Sequence, residues 1–312
     1  MTAISSSSPD TPLATTPLRI AVLGAGSVGG YYGGLLARAG HSVTLIGRHA
    51  LAEAVTQNGL RIQGNDFDWH IPIAASTQPD AVADADWVLV AVKSTDTETA
   101  GASIRPHLQP SARLLCLQNG VDNAERLARV LPAHEVLGAA VYVATEMAGP
   151  GHVRHHGRGE LVLAESETAA QLAAVLNAAR IPTTLSGNLA GVLWTKLVIN
   201  CAYNALSALS RLPYGQLVQG LGVPDVMQQV VQECQAVAQA AGVALPADMW
   251  EKVQHIARTM PQQFSSTAQD LMRDKPTEID HLNGHVVRLG QQLGIPTPAN
   301  QVLWSLVKLQ QA

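Results

Sequence analysis

Residues 18–47 constrain the fold more than any other stretch of the chain. Residues 18–23 form a short apolar strand pattern, and Gly24-Ala25-Gly26-Ser27-Val28-Gly29 follows at once. A helical pattern then runs through Tyr32, Leu35, Leu36 and Ala39, Gly40 closes it, and residues 41–46 read as a second strand. A glycine turn alone says little. Set within about thirty residues of strand, helix and strand, it is specific. The first glycine makes the tight turn, the second lets backbone approach a pyrophosphate, and the third lets the helix pack on the strand, with the helix N-terminus facing the anion. Gly24, Ala25, Gly26, Ser27, Val28 and Gly29 are therefore the expected cradle of a dinucleotide.

The end of the second strand selects the dinucleotide. An acid there would bind the ribose 2′-hydroxyl of NAD. Here the sequence is Leu45-Ile46-Gly47-Arg48-His49, with no acid, and Arg48 is positioned to pair with the 2′-phosphate of NADP. NADP(H) is the expected cofactor. Further strands are read at residues 87–92, ending in Lys93, at 114–117, ending in Gln118-Asn119-Gly120, and at 136–143, ending near Ala144-Thr145. Between and after them, residues 51–58 and 169–179 read as helices, 60–73 as a hairpin, and 183–185 as a last short strand. Ligands of doubly wound sheets sit at the carboxyl ends of strands, so Lys93 and Asn119 are expected on the cofactor's rim.

Residues 189–211 read as one long apolar helix with Asn188 as its cap. Lys196, Asn200 and Asn204 recur every fourth residue along it. Each step of four turns a helix by ~400°, so the three side chains drift only ~80° in total and share a face. A lysine inside an apolar helix is costly unless something pairs with it, and each unpaired buried polar group costs ~1–3 kcal/mol. A cation flanked by amides suits a substrate bearing a carboxylate or carbonyl. After residue 211 the pattern is helical throughout. Residues 262–270 carry Ser265 and Ser266, and Thr277-Glu278-Ile279-Asp280 reads as a helix start with an acidic first turn. The boundary is expected near residues 185–189, giving a tail at 1–17, an α/β nucleotide domain at 18–187 and a helical domain at 188–312.

Composition narrows the class. The 312 residues are 47% hydrophobic and 14% charged, with a net charge of −4, which argues against a nucleic-acid footprint. The longest apolar stretch places Lys196, Asn200 and Asn204 where mid-bilayer would be, so no membrane association is expected. Cys116, Cys201 and Cys234 are far apart in apolar sequence and read as buried thiols of a reducing, cytoplasmic compartment. His152, His155 and His156 invite a metal reading. On a strand, however, His155 and His156 face opposite ways, and no acid or cysteine completes a ligand set, so an antiparallel strand pair at the sheet edge is expected there without a metal.

Taken together, these residues resemble the 2-dehydropantoate 2-reductase, or ketopantoate reductase, family. The resemblance rests on the glycine turn, Arg48, Val92-Lys93, Gln118-Asn119-Gly120, Trp194-Thr195-Lys196 with Asn200 and Asn204, and Ser265-Ser266 followed by Thr277-Glu278-Ile279-Asp280. It implies a Rossmann-type α/β N-terminal domain joined to an all-α C-terminal domain like that of 6-phosphogluconate dehydrogenase. It also implies NADPH-dependent reduction of a small 2-oxo acid, ketopantoate foremost, in pantothenate biosynthesis and hence on the coenzyme A pathway, and leaves room for a homodimer. Carried over by position, the glycine turn holds the pyrophosphate, Arg48 the 2′-phosphate and Lys93 the adenosine-side phosphates. Asn119 lies near the nicotinamide ribose and the substrate, and Ala144 near the nicotinamide. Lys196 is the proton donor, Asn200, Asn204 and Ser266 hold substrate hydroxyl and carboxylate groups, and Glu278 orients Lys196 or the nicotinamide ribose. One position departs. Well-known members carry asparagine where this chain has Tyr214, which widens the expected substrate to other 2-oxo acids. Two competing expectations are a 3-hydroxyacid or hydroxyacyl-CoA dehydrogenase, reducing a 3-oxo acid, and an NADP(H) sensor without turnover. The long helix lacks the histidine of the first, and the Lys196 row has no use in the second.

Overall fold

The computed structural model describes residues 17–311, so the expected tail lies outside the described residues except for Pro17. Among the described residues ten strands form one sheet: β1 Arg19–Leu23, β2 Ser42–Ile46, β3 Leu60–Gln63, β4 Asp68–Ile71, β5 Ala74–Ser76, β6 Trp87–Val90, β7 Arg113–Cys116, β8 Val136–Gly149, β9 His152–Ala164 and β10 Thr183–Ser186. The order is β4-β3-β9-β8-β7-β6-β1-β2-β5, with β10 added alongside β9. Strands β5, β2, β1, β6, β7 and the start of β8 run parallel. Chain order reverses between β1 and β6, which creates the crevice where doubly wound sheets bind ligands.

Alternation within β1 explains why both faces of the sheet are covered. Ile20 and Val22 join one apolar cluster, with Tyr32, Leu36 and Leu45, while Ala21 and Leu23 join another, with Val88, Val90 and Leu114. A third cluster fills the helical half. Its axis is the helix Leu189–Ser210, whose Trp194, Leu197, Val198, Cys201, Ala202 and Tyr203 are buried. This helix is long and apolar enough to cross a bilayer by length and composition, but its apolar faces pack against its own domain. Asn188 caps it by accepting the Gly191 N–H at 2.9 Å. The three cysteines are free and buried.

Three expectations need correction. Strand β8 does not stop near residue 143. It pairs parallel with β7 over Val136 to Gly138, then antiparallel with β9 from Ala139 to Gly149, so one strand serves two halves of the sheet. Strand β9 is not at an edge, because β3 and β10 also pair with it. Thr277-Glu278-Ile279-Asp280 does not begin a helix. A 3₁₀ turn spans Ile279–His281 and the helix is Asn283–Leu293. The acids reach elsewhere instead of capping: Asp280 accepts from Trp304 Nε1 at 2.7 Å and pairs with Lys308, and Glu278 crosses to the sheet half.

Candidate active site

The turn after β1 packs directly on the segment after β6. A Cβ on Gly24, whose φ is +95°, would lie 2.5 Å from the Val92 nitrogen. A Cβ on Gly29 would lie 2.4 Å from the Gly24 oxygen. A Cβ on Gly26 would meet nothing within 4 Å. Packing thus dictates the first and third glycines, while the second faces open space at the N-terminus of the helix Ser27–Arg38. Arg48 follows β2, is exposed, and makes no side-chain hydrogen bond among the described residues.

Two adjoining cavities fill the cleft between the halves. One, about 340 Å³, runs from Gly26, Ser27 and Val28 past Lys93 and Asn119 to Lys196 and Glu278. The other, about 570 Å³, continues from Lys196 to Asn200, Asn204, Tyr214 and Ser266. Lys196, Asn119, Val141 and Ser266 line both, so the glycine turn and the Lys/Asn row open onto a single cleft.

Lys196 sits where the cavities meet. Its Nζ donates to Asn119 Oδ1 at 2.9 Å and to the Val141 carbonyl. The residue keeps some surface toward the cleft but its ammonium lies deep in the protein, and burial pushes its pKa down to about 8. The Glu278 carboxylate works against that shift and the Arg158 guanidinium adds to it. Glu278 is tied to the sheet half, accepting from the Ser94 N–H at 2.8 Å and from Asn119 Nδ2 at 3.3 Å. Asn119 therefore couples the carboxylate to the ammonium.

The remaining predicted residues divide between the cavities. Asn200 lines the larger one, and Asn204 is buried with its Nδ2 3.4 Å from Ser266 Oγ. Ser265 caps the helix Ser266–Leu271 by accepting the Ala268 N–H at 3.0 Å, which leaves Ser266 facing the cleft. Ala144 lines the larger cavity, not the one reaching the glycine turn. Lys93 turns across the smaller cavity. Its Nζ pairs with Asp270 at 2.5 Å and donates to the Pro276 carbonyl at 2.7 Å. Tyr214 forms part of the larger cavity's wall, its ring centroid 4.5 Å from that of Tyr203.

Sequence reading missed several lining groups. Val141, Val143, Thr145 and Glu146 of β8 line both cavities, and Glu146 pairs with Arg273 across the cleft at 2.5 Å. The signal was present, since the alternation of residues 141–143 continues through Thr145 and Met147. Arg158 also lines the larger cavity. The three histidines have separate partners: His152 contacts Gln63, His155 the Arg158 carbonyl and His156 Glu146.

Residues 20–168 match the family model described as ketopantoate reductase PanE/ApbA, and residues 188–311 match that of its C-terminal domain. The chain belongs to the ketopantoate reductase family. It is an oxidoreductase of that family, whose members use a nicotinamide cofactor. A 2-dehydropantoate 2-reductase of Halobacterium salinarum is 33% identical over 301 residues, covering 94% of this chain and 99% of that protein. A PanE/ApbA family ketopantoate reductase of Ralstonia eutropha JMP134 superposes with a TM-score of 0.92 at 56% identity, covering 94% of this chain and 98% of the other. A D-mandelate dehydrogenase solved with NADH and anilino(oxo)acetate shares the fold, with a TM-score of 0.88 at 24% identity, covering 94% and 98%. The α/β sheet joined to a helical C-terminal domain is the architecture of ketopantoate reductases.

Proposed function

We propose that this protein reduces a 2-oxo acid with NADPH, that 2-dehydropantoate is the substrate, and that the reaction serves pantothenate synthesis. One observation carries the reading: a buried lysine with a depressed pKa stands where the glycine-turn cavity meets the amide-lined cavity. The residues fit a dinucleotide. The open space at Gly26, beside the crowded Gly24 and Gly29, leaves room for a pyrophosphate over a helix N-terminus. Arg48 is the cation available to a 2′-phosphate, and the absence of an acid after β2 favours NADP over NAD.

Bound there, the nicotinamide supplies hydride to the substrate's C2 carbon. The chain's own residues manage the charge that then develops on oxygen. Lys196, protonated at neutral pH, donates a hydrogen bond to the carbonyl oxygen and transfers its proton to it. Asn119 and the Val141 carbonyl fix the ammonium, and Glu278 keeps it charged by opposing the effect of burial. Asn200, Asn204 and Ser266 offer amide and hydroxyl groups to the substrate's polar groups. Lys93 reaches a phosphate by exchanging its Asp270 partner.

Tyr214 favours a second reading within the same chemistry. With Ile199, Ile256 and Phe264 it gives the larger cavity an apolar wall, which suits a 2-oxo acid with a bulkier apolar side chain. Following NADPH oxidation across a panel of 2-oxo and 3-oxo acids, ketopantoate included, tests both. Ketopantoate turning over with the highest kcat/KM supports the first, and preference for an aromatic 2-oxo acid, or for a larger aliphatic one without ketopantoate's hydroxyl, supports the second. Tight NADPH binding with no oxidation by any panel member refutes both.

A further inference from the structure

Arg158 occupies an unusual place in β9. It has a φ of 62°, between Gly157 at 140° and Gly159 at 149°. A side-chain-bearing residue rarely adopts this left-handed conformation, and such strain persists where the surroundings enforce it. The pairing with β8 explains the enforcement. Tyr142 faces Glu160 and Val143 faces Arg158, so Gly159 is an extra residue, and a second register shift follows between Ala144 and Thr145. A side chain at Gly159 would be strained, because φ is +149° and a Cβ there would lie 2.8 Å from the Tyr31 hydroxyl. Bulges of this kind re-aim a side chain. The one re-aimed here is Arg158, which lines the larger cavity and lies over the Tyr142 ring at 4.5 Å. Lys196 Nζ lies 5.7 Å from the centroid of the same ring. Among the described residues the guanidinium's one carboxylate partner is Glu160, through Nε at 3.3 Å, in a pair whose side chains are each 46% exposed. Such exposed pairs hold weakly, and both terminal nitrogens are without a protein acceptor among the described residues.

We propose that Arg158 is the substrate's carboxylate clamp, its terminal nitrogens binding the C1 carboxylate of a 2-oxo acid whose adjacent carbonyl oxygen meets Lys196. The proposal rests on the 2-oxo acid reading of the site. A planar guanidinium matches a carboxylate in a two-pronged contact that the amides of Asn200 and Asn204 cannot make with full charge complementarity. Seating the carboxylate there fixes which end of the substrate faces the ammonium and sends its side chain toward the apolar wall at Ile256 and Phe264. Arg158 thereby selects acids over the corresponding esters and amides.

The test is Arg158→Gly, which removes the guanidinium at a position whose backbone favours glycine, so the fold is retained and the thermal midpoint does not fall. Calorimetry with oxamate, a 2-oxo acid isostere that accepts no hydride, is run on NADPH-loaded wild type and variant. We expect oxamate affinity to drop by about ten- to a hundred-fold, the loss of one charge-assisted contact, with NADPH affinity unchanged. In turnover, KM for the acid rises by a similar factor while kcat stays within a few-fold, the methyl ester of the same acid is unaffected, and added guanidinium ion restores part of the loss. Equal oxamate affinity in the two proteins, or no oxamate binding by wild type, overturns the clamp. Oxamate binding by wild type that depends on Arg158, without reduction of any 2-oxo acid, refutes the reaction and leaves the clamp standing.

Discussion

Replacing Lys196 with methionine should make the protein more stable while disabling it. Burial moves the Lys196 pKa from 10.5 to about 8. At about 1.4 kcal/mol per pKa unit, holding that ammonium charged in the fold costs roughly 3 kcal/mol at neutral pH. Methionine removes the cost but forfeits two hydrogen bonds, to Asn119 and Val141, each contributing about 1 kcal/mol. The residue's open face toward the cleft reduces the gain further. The net expectation is a variant about 1 kcal/mol more stable at pH 7, a rise in Tm of roughly 2 °C. The sign with pH is fixed by linkage. Between about pH 8 and 10.5 the unfolded lysine holds its proton and the folded one has lost it, so wild-type stability rises through that window. Comparing wild type with Lys196→Met cancels the tyrosines that begin to titrate there. Urea unfolding of both proteins without cofactor at pH 7, 9 and about 10.5 reads the difference directly. The variant's advantage should disappear by about pH 9 and reverse by about pH 10.5, where the neutral lysine no longer carries the cost of the charge. A variant less stable than wild type at pH 7, or a difference that does not change with pH, would show that burial does not strain this lysine.

Other outcomes follow from the same geometry. Arg48→Ala should weaken NADPH binding by roughly ten- to a hundred-fold, the worth of a charge-assisted contact, and leave NADH binding nearly unchanged; fluorescence titration with both cofactors decides it, and equal effects on the two would remove Arg48 from phosphate recognition. Gly24→Ala places a methyl against the Val92 backbone at a φ of +95°, so it should destabilise the fold by roughly 2 kcal/mol or more, readable as a lowered urea midpoint. Glu278→Gln removes the carboxylate that supports the Lys196 ammonium, so the basic limb of the pH–rate profile should move to lower pH; an unmoved limb would separate Glu278 from the proton donor.

Much of the frame was legible because local rules and tertiary packing agree. The glycine turn sits between a strand and a helix whose apolar residues face the sheet, and the spacing of Lys196, Asn200 and Asn204 fixes one helix face whatever surrounds it. What escaped reading depends on pairing between distant segments. Strand β8 exchanges β7 for β9 within one continuous run, and nothing in residues 136–149 marks where the partner changes. The acids of residues 277–280 mimic a helix start, yet Glu278 is claimed by Ser94 and Asp280 by Trp304 and Lys308, contacts that span long sequence distances. Arg158 was invisible for the same reason. A bulge in β9 exists only relative to the register of β8, and the Gly-Arg-Gly triplet alone reads as a loop. Lys93 was legible as a rim residue, but its pairing with Asp270 comes from how the helical half closes over the sheet.

The pH dependence of kcat/KM for 2-oxo acid reduction, compared between wild type and Lys196→Met, tests the central claim most directly, because that ratio reports the ionisation of groups in the free protein. A protonated Lys196 as the acid predicts a wild-type rate that is level near neutrality and falls tenfold per pH unit above about pH 8, with a variant reduced ~10²–10⁴-fold and lacking that limb. A variant of near wild-type rate that retains the same fall above pH 8 would contradict it.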